Sequence, residues 1–223
     1  MEVMPYQPEL EPAVLPAEAP RQTPPAVISN DWRTGLPCLT GSLMSLRELR
    51  ASDAPALFST LSSEQVSKFI SPPPKTVQGF EKFISWAIAQ RQAGQFVCFA
   101  IVPHGQDTAV GLFQVRALDP TFETAEWGFV LAQEFWGSGI FMDGARLMVD
   151  FAFEVLGVHR LEARASVKNG RGNGALRKLG AVQECVLRRS FERHGEFHDQ
   201  ALWTILNEDW LECRTVRVSP VTH

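Results

Sequence analysis

The chain has 223 residues, 45% of them hydrophobic, enough for one domain with a sizeable core and an appendage. Its formal charge of -4 excludes the broad basic field that dominates nucleic-acid binding, so DNA and RNA are not expected partners. Cys38, Cys98, Cys185 and Cys213 lie far apart with no C-x-x-C pair, which signals neither a disulfide framework nor a zinc knuckle and fits a reducing compartment.

From Met1 to about Asn30 prolines recur at 5, 8, 12, 16, 20, 24 and 25, blocking helix and ladder hydrogen bonds alike. This acidic stretch does not read as a signal peptide. The expected organisation is an arm over 1–33, one domain over 34–213 and a tail over 214–223. Alternating apolar and polar residues over Ser42–Leu49 predict a half-buried strand, and Ser52-Asp53 offers an N-cap for a short helix through Leu61. Three consecutive prolines make Lys68–Thr76 a loop. Thr76 then caps a helix whose apolar residues Val77, Phe80, Phe83, Ile84, Ala87 and Ile88 follow the helical period until Gly94.

Three strands follow, "QFVCFAIV", "AVGLFQVRAL" and "TAEWGFVL", separated by turn sequences and read as an antiparallel meander. The longest apolar run among them, Phe96–Val102, is too short to cross a bilayer, so a cytoplasmic protein with no membrane partner is expected. Ile140–Leu156 reads as a helix packed on a sheet face and stopped by Gly157. "HRLEARASV" is the next strand, "NGRGNGALRKLGA" a turn and short helix ended by Gly180, and "VQECVLRRSFER" with "EFHDQALWTIL" a hairpin around His194-Gly195.

Between the third strand of the meander and the long helix stands "EFWGSG", residues 134–139. A G-x-G pair alone is weak, because glycines punctuate many turns. At a strand-to-helix junction, however, the N–H groups of Trp136, Gly137, Ser138, Gly139, Ile140 and Phe141 point outwards from a helix N-terminus, a geometry that binds pyrophosphate. A Walker loop would need G-K-[ST], which is absent. A Rossmann fingerprint would need glycine at Met142.

In order, a strand "AEWGFVL", an aromatic-Trp-Gly-x-Gly loop, a helix "GARLMVDFAFEVLGVHRLEA", and Asn169 followed by Lys178-Leu179-Gly180 resemble the GNAT acetyltransferase superfamily, in particular its RimJ/RimL branch. The resemblance spans about Leu43 to Trp210. The superfamily's acyl-CoA loop is similar to [Q/R]-x-x-G-x-[G/A], and this chain departs from it with Glu134 in first position. The resemblance implies a mixed α/β GNAT fold: a mostly antiparallel twisted sheet of six to seven strands, splayed at the acyl-CoA site and flanked by about four helices. It also implies that acetyl-CoA, the co-substrate, enters between "EWGFVL" and "RLEARAS". Its pyrophosphate would rest on Trp136–Phe141, its pantetheine amides on backbone at Phe129, Val130 and Leu131, and its thioester end near Asn169.

The partner implied is a primary amine, a protein N-terminus or a small amine such as a polyamine or antibiotic. A carboxylate base acting through water suits such a transfer; Glu126 is the first candidate and Glu162, on the next strand, its rival. An ordinary salt-bridged strand residue is the alternative for each. An α-amine with pKa near 8 costs roughly 3 kcal/mol less to deprotonate than a lysine near 10.4, which favours the α-amine. The branch's proton donor to the thiolate is not found: the only tyrosine is Tyr6, in the arm, and the serine position three after Asn169 is Gly172. Water, Asn173 or Ser166 remain, and a non-catalytic acyl-CoA-binding module is the alternative reading. Arg171, Arg177 and Lys178 are candidates for the 3′-phosphate or for a solvated surface. His194 and His198 suggest no third ligand, so no metal is expected. Trp86, Trp127, Trp203 and Trp210 read first as core, with lining of the acceptor pocket the alternative for Trp127. A homodimer is compatible with the chain and not demanded by it.

Overall fold

The computed structural model describes residues 31–193 and 195–218. The chain builds β1 (Leu39–Thr40), β2 (Met44–Glu48), α1 (Ala54–Leu61), α2 (Glu64–Ser67) and α3 (Val77–Gln92). The meander is β3 (Phe96–Pro103), β4 (Gly111–Ala117) and β5 (Thr124–Leu131), followed by α4 (Ile140–Glu154). Then come β6 (Arg160–Ser166), α5 (Gly170–Leu179), β7 (Val182–Arg193), β8 (Glu196–Leu206) and α6 (Asn207–Val218).

Eight strands form one open sheet in the order β1-β2-β3-β4-β5-β6-β8-β7, antiparallel everywhere except between β5 and β6. The expectation of six to seven strands and four helices is thus exceeded by β1, only two residues long, and by α2 and α6. Helix α6 crosses the expected 213/214 boundary. At the other end Trp32, assigned by composition to the arm, is buried and meets Phe122 edge-on at 5.8 Å. The proline-rich stretch over 1–30, Tyr6 and His194 lie outside the described residues.

The sheet is covered on both faces, and its β3 strand is apolar and buried along its whole length. One face carries Phe99, Phe113, Trp127, Leu161 and Trp203 against α4, α5 and α6; the other carries Ala100 and Leu112 against Leu57 of α1 and Phe80 and Ile84 of α3. Thr76 caps α3 by accepting from the Gly79 N–H at 3.0 Å. The buried stripe of α3 is Phe80, Ile84, Ala87 and Arg91. Trp86, expected in the core, is instead 48% exposed: two residues beyond Ile84 is about 200° round the helix. There it stacks on Phe83 and lies 5.0 Å from Phe96. Asp53 also departs from its expected role. Its carboxylate does not cap α1; it accepts from Arg47 Nη1 and Nη2 at 2.8 and 2.7 Å and, closing the 3-10 turn Ala51–Asp53, from the Arg50 N–H.

How β6 is shared decides the shape of the sheet. It pairs with β8 along its whole length, Arg160↔Leu206 to Ser166↔Gln200, while β5 pairs with β4 from Ala117↔Ala125 to Gly111↔Leu131. Between themselves β5 and β6 pair only at Thr124↔Arg160, Ala125↔Leu161 and Glu126↔Glu162. Beyond Glu126 the twist of each half carries the two strands apart.

The β4–β5 turn is held by Asp119, whose Oδ1 accepts from Thr121 Oγ1 at 2.6 Å and whose Oδ2 accepts from the Thr124 N–H at 2.6 Å. These bonds, the Thr121 hydroxyl first, lower its pKa from 3.8 to about 2. A carboxylate whose folded pKa is depressed stabilises the fold above its unfolded pKa and loses that contribution as pH falls through the folded one. Asp119→Ala is therefore expected to destabilise the chain at neutral pH, and the gap from wild type, measured by denaturant unfolding, should narrow between about pH 4 and pH 2.

Candidate active site

The edge opened by the splay is polar backbone. The Ala132 N–H bonds to the Val110 carbonyl and the Leu118 N–H to the Thr124 carbonyl, so even-numbered residues of β5 address β4. By strand alternation Phe129 and Leu131 turn their N–H and C=O groups to the gap. The Leu131 carbonyl accepts from Trp136 Nε1 at 2.9 Å, which ties the following loop to the strand end.

That loop enters α4 through two left-handed residues, Gly137 (φ 78°) and Gly139 (φ 92°), a conformation costly for any other residue. Ser138 folds back, donating from Oγ to the Phe135 carbonyl at 2.7 Å. Among the described residues the N–H groups of Gly137, Gly139, Phe141 and Met142 have no hydrogen-bond partner. Four free donors at the positive end of a 15-residue helix make an anion site. Asp143 ties it to the β1–β2 turn by accepting from the Leu43 N–H at 2.8 Å.

The opposite wall is α5. Asn169 caps it, Oδ1 accepting from the Gly172 N–H at 2.9 Å. A Cβ on Gly172 would sit 2.5 Å from Asn169 Nδ2, whereas one on Gly170 or Gly174 would meet nothing within 4 Å. Only Gly172 is therefore required by contact. Asn173 donates to the Ser166 and Asn169 carbonyls and accepts from Trp203 Nε1, and Ser166 is 2% exposed. The Asn173 amide is thus engaged at both ends, and Ser166 is buried with its Oγ accepting from the Lys168 N–H at 3.3 Å.

Two clefts open here. The first, about 610 Å³, lies between the glycine loop, the end of β5 and α5, and is lined by Leu131, Trp136, Gly137, Gly139, Phe141 and Arg171 among others. The second, about 540 Å³, lies on the other side of β5 under the Ser71–Pro74 loop. Phe129, Val130, Asn169, Gly172, Phe69 and Ile70 line both, so the clefts meet at the splay. Ser138 and Ile140 belong to the loop without lining either cleft.

Of the two carboxylates, Glu126 lines the second cleft and Glu162 lines neither. Glu126 Oε2 accepts from Arg116 Nη2 at 2.5 Å and from Arg164 Nη1 at 3.5 Å; Oε1 has no partner among the described residues. Glu162, its side chain 13% exposed, accepts from Arg160 Nε at 2.8 Å and lies 3.6 Å from Arg164. Arg116 and Arg164 did not stand out in the sequence, although Arg116 is paired in register with Glu126. Of the three cations near α5, Arg171 and Lys178 line the first cleft, while Arg177 lies over the Trp203 ring. No group of three His, Cys, Asp or Glu that could hold a metal is gathered among the described residues, and none of their helices is long and apolar enough to cross a membrane.

Residues 44–182 match the family described as the acetyltransferase (GNAT) domain. The "Probable N-acetyltransferase YjcK" of Bacillus subtilis is 29% identical over 179 residues, covering 77% of this chain and 98% of that one. The spermidine N(1)-acetyltransferase of Vibrio cholerae is 22% identical, covering 76% and 96%. The solved structure of RimL, a ribosomal L7/L12 alpha-N-protein acetyltransferase in complex with coenzyme A, superposes with a TM-score of 0.69 at 19% identity, covering 76% and 98%.

The cap makes a direct prediction. Asn169→Ala should lower stability to denaturant by about 1 kcal/mol, while Asn169→Asp and Asn169→Ser, which keep an acceptor, should recover most of it.

Proposed function

This chain belongs to the GNAT acetyltransferase family, and on that premise we propose that it acetylates the α-amine of a protein or peptide, using acetyl-CoA. Bound acetyl-CoA supplies an activated acetyl thioester; the chain supplies the rest. The free amides of Gly137, Gly139, Phe141 and Met142 hold the pyrophosphate, and the gap-facing groups of Phe129 and Leu131 pair with the pantetheine amides. At the junction of the clefts Asn169 meets the thioester end. The amine arrives through the second cleft and loses its proton through water to Glu126, whose Oε1 is unengaged. The amine nitrogen bonds the acetyl carbon as the carbon–sulfur bond breaks. The sulfur leaves as thiolate, which a thiol of pKa near 8.5 permits at neutral pH.

The observation that carries the α-amine reading is the charge of the second cleft: its ionisable lining is Arg116, Arg164 and Glu126, two cations against one anion. A polycation finds little to bind there. The single carboxylate fits an acceptor whose amine is easily deprotonated, and an α-amine costs roughly 3 kcal/mol less than a lysine. The RimL likeness points the same way. The Vibrio relative acts on spermidine, and this favours a small-amine acceptor as the second reading.

Thiol release from acetyl-CoA, followed against N-terminal peptides, their N-blocked forms, spermidine and aminoglycosides, tests this. Release should require a free peptide α-amine. Glu126→Gln should lower kcat by about 100-fold at unchanged CoA affinity, and Glu162→Gln should change it by less than about threefold. Release with spermidine alone would establish the second reading, and CoA binding with no release from any acceptor would leave an acyl-CoA-binding module. If neither variant lowers kcat, the base assignment is wrong.

A further inference from the structure

The anion site described above offers amide donors but little charge. The loop itself holds no cation: from Ala132 to Ala145 its ionisable residues are Glu134 and Asp143, both acidic. Glu134 is exposed at the loop's entrance and lines neither cleft, so it adds no positive charge to the site. Asp143 is committed to the Leu43 N–H. Dipole and amides offer an anion partial charges that salt screens, and a full positive charge from another element would strengthen the hold.

The first cleft is lined by three cations, Lys68, Arg171 and Lys178. Lys68 belongs to the far wall and lies over the Phe69 ring at 5.4 Å. Lys178 stands near the opposite end of α5 from Asn169. Arg171, in the first turn of α5, reaches across the cleft: its guanidinium carbon lies 3.7 Å from the centroid of the Trp136 ring, on the glycine loop. Arg171 also has no carboxylate partner among the described residues. An arginine held flat on an aromatic face keeps its five N–H donors free at the edge of the plane. Trp136 is itself fixed by its bond to the Leu131 carbonyl, so the stack positions the guanidinium beside Gly137 and Gly139.

We propose that Arg171 is the pyrophosphate-reading residue of this enzyme, supplying from α5 the charge that the acidic glycine loop lacks. The inference rests on the reading that the first cleft takes acyl-CoA. It accounts for an arginine between Gly170 and Gly172, where an unhindered helix start leaves its side chain free to swing to the loop. Trp136 serves as the platform that keeps the guanidinium in the cleft, and the bidentate fork suits adjacent phosphate oxygens.

The test is calorimetric binding to the full chain of CoA, of dephospho-CoA, which keeps the pyrophosphate and lacks the 3′-phosphate, and of pantetheine, which lacks both. Wild type should bind CoA and dephospho-CoA alike. Arg171→Ala should weaken both by about 10- to 100-fold, the range for loss of a charge-assisted pair, with pantetheine unaffected. Arg171→Lys should fall between, retaining charge without the fork. Lys178→Ala, matched for charge, should cost CoA less than Arg171→Ala. A loss confined to CoA would assign Arg171 to the 3′-phosphate and overturn the proposal, as would less than a twofold change on both nucleotides. Unfolding midpoints of the variants equal to wild type exclude a folding defect as the cause. Wild type that binds no CoA at all would overturn the acyl-CoA reading of the cleft and this inference with it; wild type that binds normally with Arg171→Ala unimpaired would overturn this inference alone.

Discussion

Everything at this site depends on the failure of β5 and β6 to remain paired. β6 is committed to β8 over seven positions and β5 to β4 over seven, and the sheet's twist can satisfy both only by opening the seam between them after Glu126 and Glu162. Buried backbone left unpaired is costly, so such an opening persists only where something else meets its polar groups. Here the Trp136 indole meets one, the Leu131 carbonyl. The remainder, at Phe129 and Leu131, face the first cleft. The same opening lets one cavity reach the glycine loop and the other reach Glu126, the two meeting at Phe129, Val130 and Asn169.

Around the seam the charges form a ladder on one face of the sheet. Arg116 of β4 holds Glu126 of β5, Arg164 of β6 stands between Glu126 and Glu162, and Arg160 joins Glu162 to Glu184 of β7. Thr204 of β8 donates to the same Glu184. Arg160, then Thr204, hold the Glu184 pKa down to about 2, and Glu184 with Glu162 raises that of Arg160. Partly exposed ion pairs of this kind add little stability individually. Their effect is orientation: Glu126 is fixed through one oxygen and presents the other to the second cleft. Glu162, one pair across the seam, is spent within the ladder.

Much of this architecture was legible in the chain. The period-2 and period-3.6 patterns located the meander, α3, α4 and the final hairpin. Thr76 and Gly180 marked a helix start and a helix end by their cap chemistry, and the glycines of "EFWGSG" marked the left-handed turn into α4 at Gly137 and Gly139. What periodicity does not carry is which strand lies beside which. The choice between Glu126 and Glu162 therefore stayed open: both sit on the same face in register, and only the position of the split separates them. Trp86 misled because its apolar neighbours in sequence read as core, whereas its angle on α3 carries it off the buried stripe. Trp32 escaped because a packed tryptophan at the edge of a proline-rich stretch has no pattern around it. β1 and α2 are too short to have a period, and the Arg171–Trp136 stack joins residues 35 apart in sequence, a distance no local rule spans.

On the proposed function, the open edge of β5 and the glycine loop together receive acyl-CoA. Amide hydrogen exchange with and without saturating CoA, resolved to single residues, measures this directly. The account predicts slowed exchange at Phe129, Leu131, Gly137, Gly139, Phe141 and Met142, with the β4-facing amides of Val130 and Ala132 changed little because they are already bonded. Tight CoA binding that leaves those six amides unprotected, or protects a different surface, would contradict it.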